Sequence, residues 1–207
     1  MGIHVERKKM KILSEMLRKS WHFFSGITLI VGYSMLMLYT SKETALVSLT
    51  GVILVFMVFE HIRLEHQPKL FEIFNRMFRK KEIFRPSSML PYLLSSLAVF
   101  AVFQYWIAFT AIMMLIIGDS ASAFFGLMFG KKKIRRSKTY VGSGAELLAN
   151  LLTGFVIMHE HPQIYIPMAI TATIVETLTD KLEDNMTVPV STAFCGYIMA
   201  MIFSIAI

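Results

Sequence analysis

Residues 89–117 read MLPYLLSSLAVFAVFQYWIAFTAIMMLII, 29 positions without a charge. As a single helix rising 1.5 Å per residue this stretch would be about 43 Å long, well beyond the ~30 Å hydrocarbon core of a bilayer. Gln104, Tyr105 and Trp106 lie in its middle, and amphipathic rings of this kind favour the headgroup boundary. The stretch is therefore read as two spans meeting near Gln104, the second continuing from about Tyr105 to Phe129. That division sets the sidedness of everything after it.

Upstream, apolar runs cover Trp21–Tyr39 and about Thr44–Ile62. Downstream they cover about Ala145–Met158, Ile164–Leu178 and Val188–Ile207, which makes seven in all. The first is too long for a signal-peptide core and lacks a small-x-small cleavage site, so it is read as retained. With the N-terminus in the cytoplasm, the inner segments hold six Lys or Arg at residues 7–19, seven at 63–85, six at 131–138, and Lys181. Lys42 alone of the 21 falls outside, as the positive-inside rule requires. Treating 89–117 as one span would turn the 131–138 cluster outward. The expected fold is all-α: a polytopic integral membrane protein of about seven transmembrane helices, residues 1–207 forming one domain behind a basic cytoplasmic segment at 1–19.

Composition agrees. The chain is 55% hydrophobic and 17% charged, against ~25% charged in soluble domains. Disorder, a collagen-like fibre and a secreted disulfide scaffold are excluded, and the single Cys195 cannot form an internal bridge. The net charge of +7 lies in segments flanking the spans, so no nucleic-acid partner is expected. One such segment, PKLFEIFNRMFRKKEIFRP at 68–86, places Leu70, Phe71, Phe74, Met77, Phe78 and Phe84 near helical spacing, with Arg76, Arg79, Lys80 and Lys81 clustered late. It reads as an amphipathic helix lying in the interface over residues 66–86.

The polar residues inside this frame point to chemistry. Gly118, Ser122, Gly126 and Gly130 are four apart, a small-residue face on which a neighbouring helix can pack closely. Asp119 lies beside it, roughly 21 Å from the start of its span. An intramembrane carboxylate costs about 2.5–3.5 kcal/mol to insert and is a functional candidate; the competing reading is a structural carboxylate paired with a lysine. The basic loop KKKIRRSKTYVGSG follows, and its Lys138, Thr139, Gly142, Ser143 and Gly144 suit an anion held by a lysine, glycine backbone and a following helix start. Equally, basic loops beside membranes serve topology. In VETLTDKLEDNMTVP, a helix would place Glu176, Asp180 and Asp184 at i, i+4 and i+8. Carboxylates so close repel unless neutralised, and carboxylates with phosphate oxygens suit Mg²⁺. Otherwise the stretch is a solvated loop in which Asp184, Asn185 or Thr187 caps the last helix. The pair His159 and His161 reads as an outer loop, and His22 as a core histidine.

Taken together, these segments resemble the family of CTP-dependent lipid-alcohol kinases: dolichol kinase, phytol kinase and yeast-type diacylglycerol kinase. The ExxRKxxH motif stands here as Glu15, Arg18, Lys19 and His22, and RxxE as Arg79 and Glu82. The GDxxAxxxG…KTxxGS block stands as Gly118, Asp119, a shifted Ala123, Gly126, Lys138, Thr139, Gly142 and Ser143. ExxxxxxxDNxxxP stands as Glu176, Asp184, Asn185 and Pro189. The chain departs at 85–88, RPSS in place of a Gly-containing stretch, and at Glu183, where an Asp is common. Phosphatidate cytidylyltransferases share the Asp-glycine-KTxxG block but carry a different signature near their end, which favours the kinase; a lipid transporter or scaffold is the non-enzymatic rival. The resemblance implies Mg²⁺-dependent transfer of the terminal phosphoryl group of CTP to a lipid alcohol at a site facing the cytoplasm. It implies Asp119 and Asp184 as metal ligands, and Lys138, Thr139, Gly142, Ser143 and Asn185 around the nucleotide. Glu176 is implied as base, with Arg79, Glu82, Arg18, Lys19 and His22 in support.

Overall fold

The computed structural model describes residues 2–66, 86–135, 138–179 and 183–205, with side chains from Met16 onward except Arg18 and His66. The expected interfacial helix at 66–86 lies almost wholly outside these residues. The elements are α1 Gly2–Tyr39, α2 Lys42–His66, α3 Met89–Val102, α4 Tyr105–Phe129, α5 Tyr140–Met158, α6 Pro162–Leu178 and α7 Asp184–Ile202. A two-stranded antiparallel hairpin, β1 Lys133–Arg135 and β2 Lys138–Thr139, joins α4 to α5. The fold is all-α apart from that hairpin, and α1 runs unbroken through the basic N-terminal segment.

The uncharged stretch breaks where its aromatic residues suggest. Phe103 and Gln104 are both extended, between the end of α3 and the start of α4. Lys42 Nζ donates to the Ala101 carbonyl at 3.2 Å and Tyr105 Oη to Ser34 Oγ at 2.8 Å, which gathers the α1–α2 and α3–α4 turns at one end. At the other end the Ser87 N–H donates to Glu60 Oε2 at 3.3 Å, Asn185 Nδ2 to the Ser88 carbonyl at 2.9 Å, and Arg135 Nη1 to the Leu178 carbonyl at 2.6 Å. Successive helices therefore run up and down.

Among the described residues, five helices are long and apolar enough to cross a membrane: Lys19–Tyr39 within α1, Lys42–Glu65 within α2, and α4, α5 and α7. At most 39% of any of these windows is buried, and Val47, Val55, Leu148, Leu152 and Val156 all point outward. Apolar surface on that scale is covered by lipid rather than water, so this is an integral membrane protein. α3 and α6 are shorter, at 14 and 17 residues. α4 is the central helix, packing on α1, α3, α5, α6 and α7. Its Ile107, Ala108, Ala111, Ile112 and Leu115 are fully buried beside Tyr92, Phe100, Ala169 and Ala193.

Three expectations are corrected. The segment through Gly144 is not all loop: α5 begins at Tyr140, because the Thr139 hydroxyl accepts the Gly142 N–H at 3.1 Å and caps the helix there. α6 stops at Leu178, where the sixth span is expected to end, and it is the alternative of Glu176 and Asp184 on one helix that does not hold. α7 starts at Asp184, four positions before Val188, with Glu183 at its N-cap position and no side-chain cap bond.

The small face of α4 is where α5 crosses. A Cβ on Gly126 would stand 3.5 Å from Gly142 Cα, and one on Gly142 only 2.8 Å from the Ser122 carbonyl oxygen. Backbone cannot yield as a flexible side chain would. Gly142→Ala should destabilise by about 1–3 kcal/mol through overpacking. Gly144→Ala, with nothing within 4 Å of its Cβ, should be neutral or stabilising by up to ~1 kcal/mol from helix propensity. Thermal unfolding in detergent compares the two. Equal melting of Gly142→Ala and the parent protein would contradict the α4–α5 crossing.

Candidate active site

The described polar side chains concentrate at the end of the bundle that carries the hairpin. Asp119 sits on α4 directly after Gly118, and Lys19 of α1 forms an ion pair with it. This is the pairing that the structural reading of Asp119 required. His22, one turn along α1, lies within electrostatic reach of the same carboxylate and packs edge-on against Tyr92, ring centroids 5.4 Å apart.

Lys138, on the second strand of the hairpin, forms an ion pair with Glu176 in the last turns of α6. Burial opposes the charge on Lys138, but the Glu176 and Asp119 carboxylates outweigh it and hold the lysine above its ordinary 10.5. A raised lysine contributes stability that is fully present below that ordinary value and is lost only as pH rises through the higher folded value. Lys138 therefore keeps its charge throughout the neutral range.

The third carboxylate escaped sequence reasoning. Glu146 on α5 is fully buried, lies against Glu176, and feels Lys138 and Asp119. Neither of its oxygens has a hydrogen-bond partner among the described residues. One turn further, Asn150 donates to Thr173 Oγ1 at 3.2 Å, while its Oδ1 is unpartnered among the described residues and aims at Gly118. Glu146, Asn150 and Thr153 recur at i, i+4 and i+7, a buried polar stripe in an otherwise apolar helix. That periodicity was the readable signal.

The remaining candidates are placed as follows. Thr139 caps α5 and thereby occupies the Gly142 N–H. Ser143 Oγ shares a hydrogen bond with Thr177 Oγ1 at 2.9 Å, which ties α5 to α6. Asp184 is half-buried in the first turn of α7. Asn185 is turned toward α3: its amide donates to the Ser88 carbonyl, and its own carbonyl accepts from Ser95 Oγ at 2.7 Å. It anchors α7 to α3, so the structure does not bring it to Asp119 through these bonds. Arg79, Glu82 and the Arg18 side chain lie outside the described residues. Nearby, Glu60 and Arg63 form a buried 2.6 Å pair one turn from the end of α2.

Lys19, Asp119, Lys138, Glu146 and Glu176 thus form one constellation: three carboxyl groups against two lysines, so that Glu146 has no lysine partner of its own. Among the described residues no three His, Cys, Asp or Glu side chains converge as a ready metal cage. The cluster adjoins the first turn of α5, whose orphan N–H groups and dipole attract anions. Such a set can hold a cation that is completed from outside, or an anion that brings one. No protein family, curated protein or solved structure matches the chain, and the site is therefore read from its own geometry.

Removing one member of the buried Lys138–Glu176 pair strands the other. Lys138→Met should cost about 3–5 kcal/mol, while Lys138→Met with Glu176→Gln should recover much of that loss, since neither then leaves an unpaired charge. A double-mutant cycle from unfolding in detergent measures the coupling. Additive losses would show that the two side chains do not interact.

Proposed function

We propose that the protein is a CTP-dependent lipid kinase, transferring the terminal phosphoryl group of CTP to the hydroxyl of a membrane-embedded alcohol and releasing the lipid phosphate and CDP. The observation that carries this reading is the constellation of part-buried Asp119 and Lys138 with fully buried Glu176 beside the α5 N-terminus, at the end of the bundle that carries the basic hairpin. Phosphoryl transfer needs positioning and charge neutralisation more than covalent chemistry, and the residues present are of those types.

In this reading Lys138 and the first turn of α5, around Ser143, hold the phosphates, with Thr139 and Gly142 shaping that turn. Asp119 and Asp184 are the Mg²⁺-binding carboxylates. Mg²⁺ takes one or two carboxylates and fills its shell with water and phosphate oxygens, which suits a site with no complete cage. The unpartnered oxygens of buried Glu146 are a further donor of the right chemistry. When bound, Mg²⁺ would offset the charge of the transferring phosphoryl group. Glu176, with Glu146 against it, takes the hydroxyl proton. Asn185 acts by fixing the start of α7, which carries Asp184. Lys19 and His22 set the field at Asp119.

All seven helices cross the membrane in this proposal. The short α3 and α6 are accommodated where neighbouring helices flank them, and the constellation faces the cytoplasm, as the Lys and Arg distribution favours. Nucleotide arrives from that side and the alcohol from the bilayer.

Purified protein in detergent, given labelled CTP or ATP and a panel of lipid alcohols, should yield a lipid monophosphate and CDP. Asp119→Asn and Asp184→Asn should each lower turnover by about 100-fold or more, as removal of one transition-state charge partner does. Transfer of CMP to a phosphatidate would make the protein a cytidylyltransferase instead, and inactivity on every substrate would favour transport. In a Cys195→Ser background, a cysteine at Thr187 should react with an impermeant thiol reagent from the cytoplasmic side alone. Labelling from the other side would overturn the orientation.

A further inference from the structure

Beside the charged constellation, α1 and α4 leave a groove of about 370 Å³ between them. Phe23 and Phe24 of α1 line it opposite Ala121, Phe124, Phe125 and Leu127 of α4. Its volume falls within the ~300–1,000 Å³ typical of small-molecule sites. The groove lies on an outward face, with Phe24, Phe124 and Phe125 all exposed. Its polar lining comes from Lys19, Ser20 and Ser120, and Lys19 is the partner of Asp119. Hydrocarbon seated here therefore lies one side chain away from the part-buried Asp119 carboxylate.

We propose that this groove seats one chain of a single-chain lipid alcohol, with its hydroxyl at the Lys19–Asp119 pair. The class follows from shape and chemistry. At the ~30 Å³ that a water-sized unit occupies in a liquid, the groove holds on the order of a dozen carbons. That is one chain segment between two helices, with the remainder free to run into the bilayer. A two-chain glycerolipid gains from the groove for one of its chains only, while carrying a bulkier headgroup to the Lys19 end. The hydroxyl is the one polar group the ligand needs, because Lys19 can donate to it and Asp119 accept from it. A second cavity, at Trp106 and His159–His161, is polar-walled and sits beside the α5–α6 turn, which does not suit a lipid chain. Placing the hydroxyl in a reaction rests on the kinase reading; occupancy of the groove by a single chain does not.

The test is photolabelling of the full chain in detergent, without nucleotide, by a long-chain primary alcohol carrying a diazirine in its tail. Labels should map to residues 16–24 of α1 and 120–127 of α4. Unlabelled single-chain alcohol should compete about tenfold more effectively than diacylglycerol, and Ala121→Trp should cut labelling about tenfold by occupying groove volume, a loss equivalent to a few buried methylenes. Leu152→Trp, on the lipid-facing side of α5, should leave labelling unchanged. Labels spread evenly over α2 and α5 would reduce the groove to ordinary lipid contact, and equal competition by diacylglycerol would overturn the single-chain assignment. Cross-links joining two protein copies through these helices would assign the groove to a second copy and likewise overturn it. The two readings separate cleanly. Groove labelling with no phosphoryl transfer from any nucleotide would remove the kinase alone, whereas turnover with labels elsewhere would remove the groove alone.

Discussion

Two lysines compensate the acidic end of this bundle, and the relative placement of four elements depends on them. Asp119 and Glu176 sit on helices whose neighbours are otherwise apolar. A carboxylate in that setting is tolerated only with a partner, because losing its hydration is repaid only by close opposite charge. Lys19 brings α1 to α4, and Lys138 brings the hairpin to α6. Neither cation comes from the helix whose charge it meets, so the pairs act as tertiary clasps. At the end of α2, Glu60 and Arg63 solve the same problem locally, at i and i+3, and Glu60 also accepts from the Ser87 N–H.

The second clasp depends on a steric condition. Lys138 can reach Glu176 because the hairpin is short and Thr139 starts α5 at once, with Gly142 lying against the Ser122 carbonyl of α4. Larger residues at Gly126 or Gly142 would part α4 from α5 and move the α5 start away from Asp119. Small residues in membrane helices favour association through close backbone packing. Here they also set how near a helix N-terminus can come to a buried carboxylate.

This division explains what could be read from the sequence. The break at Gln104 was legible because an uncharged run longer than the bilayer must turn, and its amphipathic rings marked where. The α4 face was legible because four small residues at a four-residue period suit a helix crossing. The start of α5 was misjudged because glycines argued for a loop, while the decisive term was a tertiary-supported cap at Thr139. The apolar spans already separate Leu178 from Val188, so the alternative of one helix through Glu176 and Asp184 rests on local spacing alone, and the packing of the start of α7 on α3 through Asn185 goes against it. Glu146 was overlooked because one carboxylate in AELLANLLTG is lost in an apolar run until Asn150 and Thr153 are read with it as a stripe. Partners from distant segments, such as Lys19 for Asp119, have no sequence signature.

The charge balance is what makes the constellation chemically open. Were each carboxylate matched by a lysine, the cluster would be a closed structural network, which the fold alone could justify. Lys19 and Lys138 leave Glu146 over, fully buried, pressed against Glu176 and without a hydrogen-bond donor among the described residues. Two carboxyl groups this close do not both ionise freely: they share a proton or take added positive charge between them. A purely structural core would be better served by glutamine or leucine at that position. Retaining a carboxylate there is economical if a cation or a proton passes through the site during function. In the proposed reaction both do: the metal arrives with the nucleotide, and the proton leaves the alcohol. The unmatched carboxyl at Glu146 thus argues for a working site more strongly than the two matched pairs beside it.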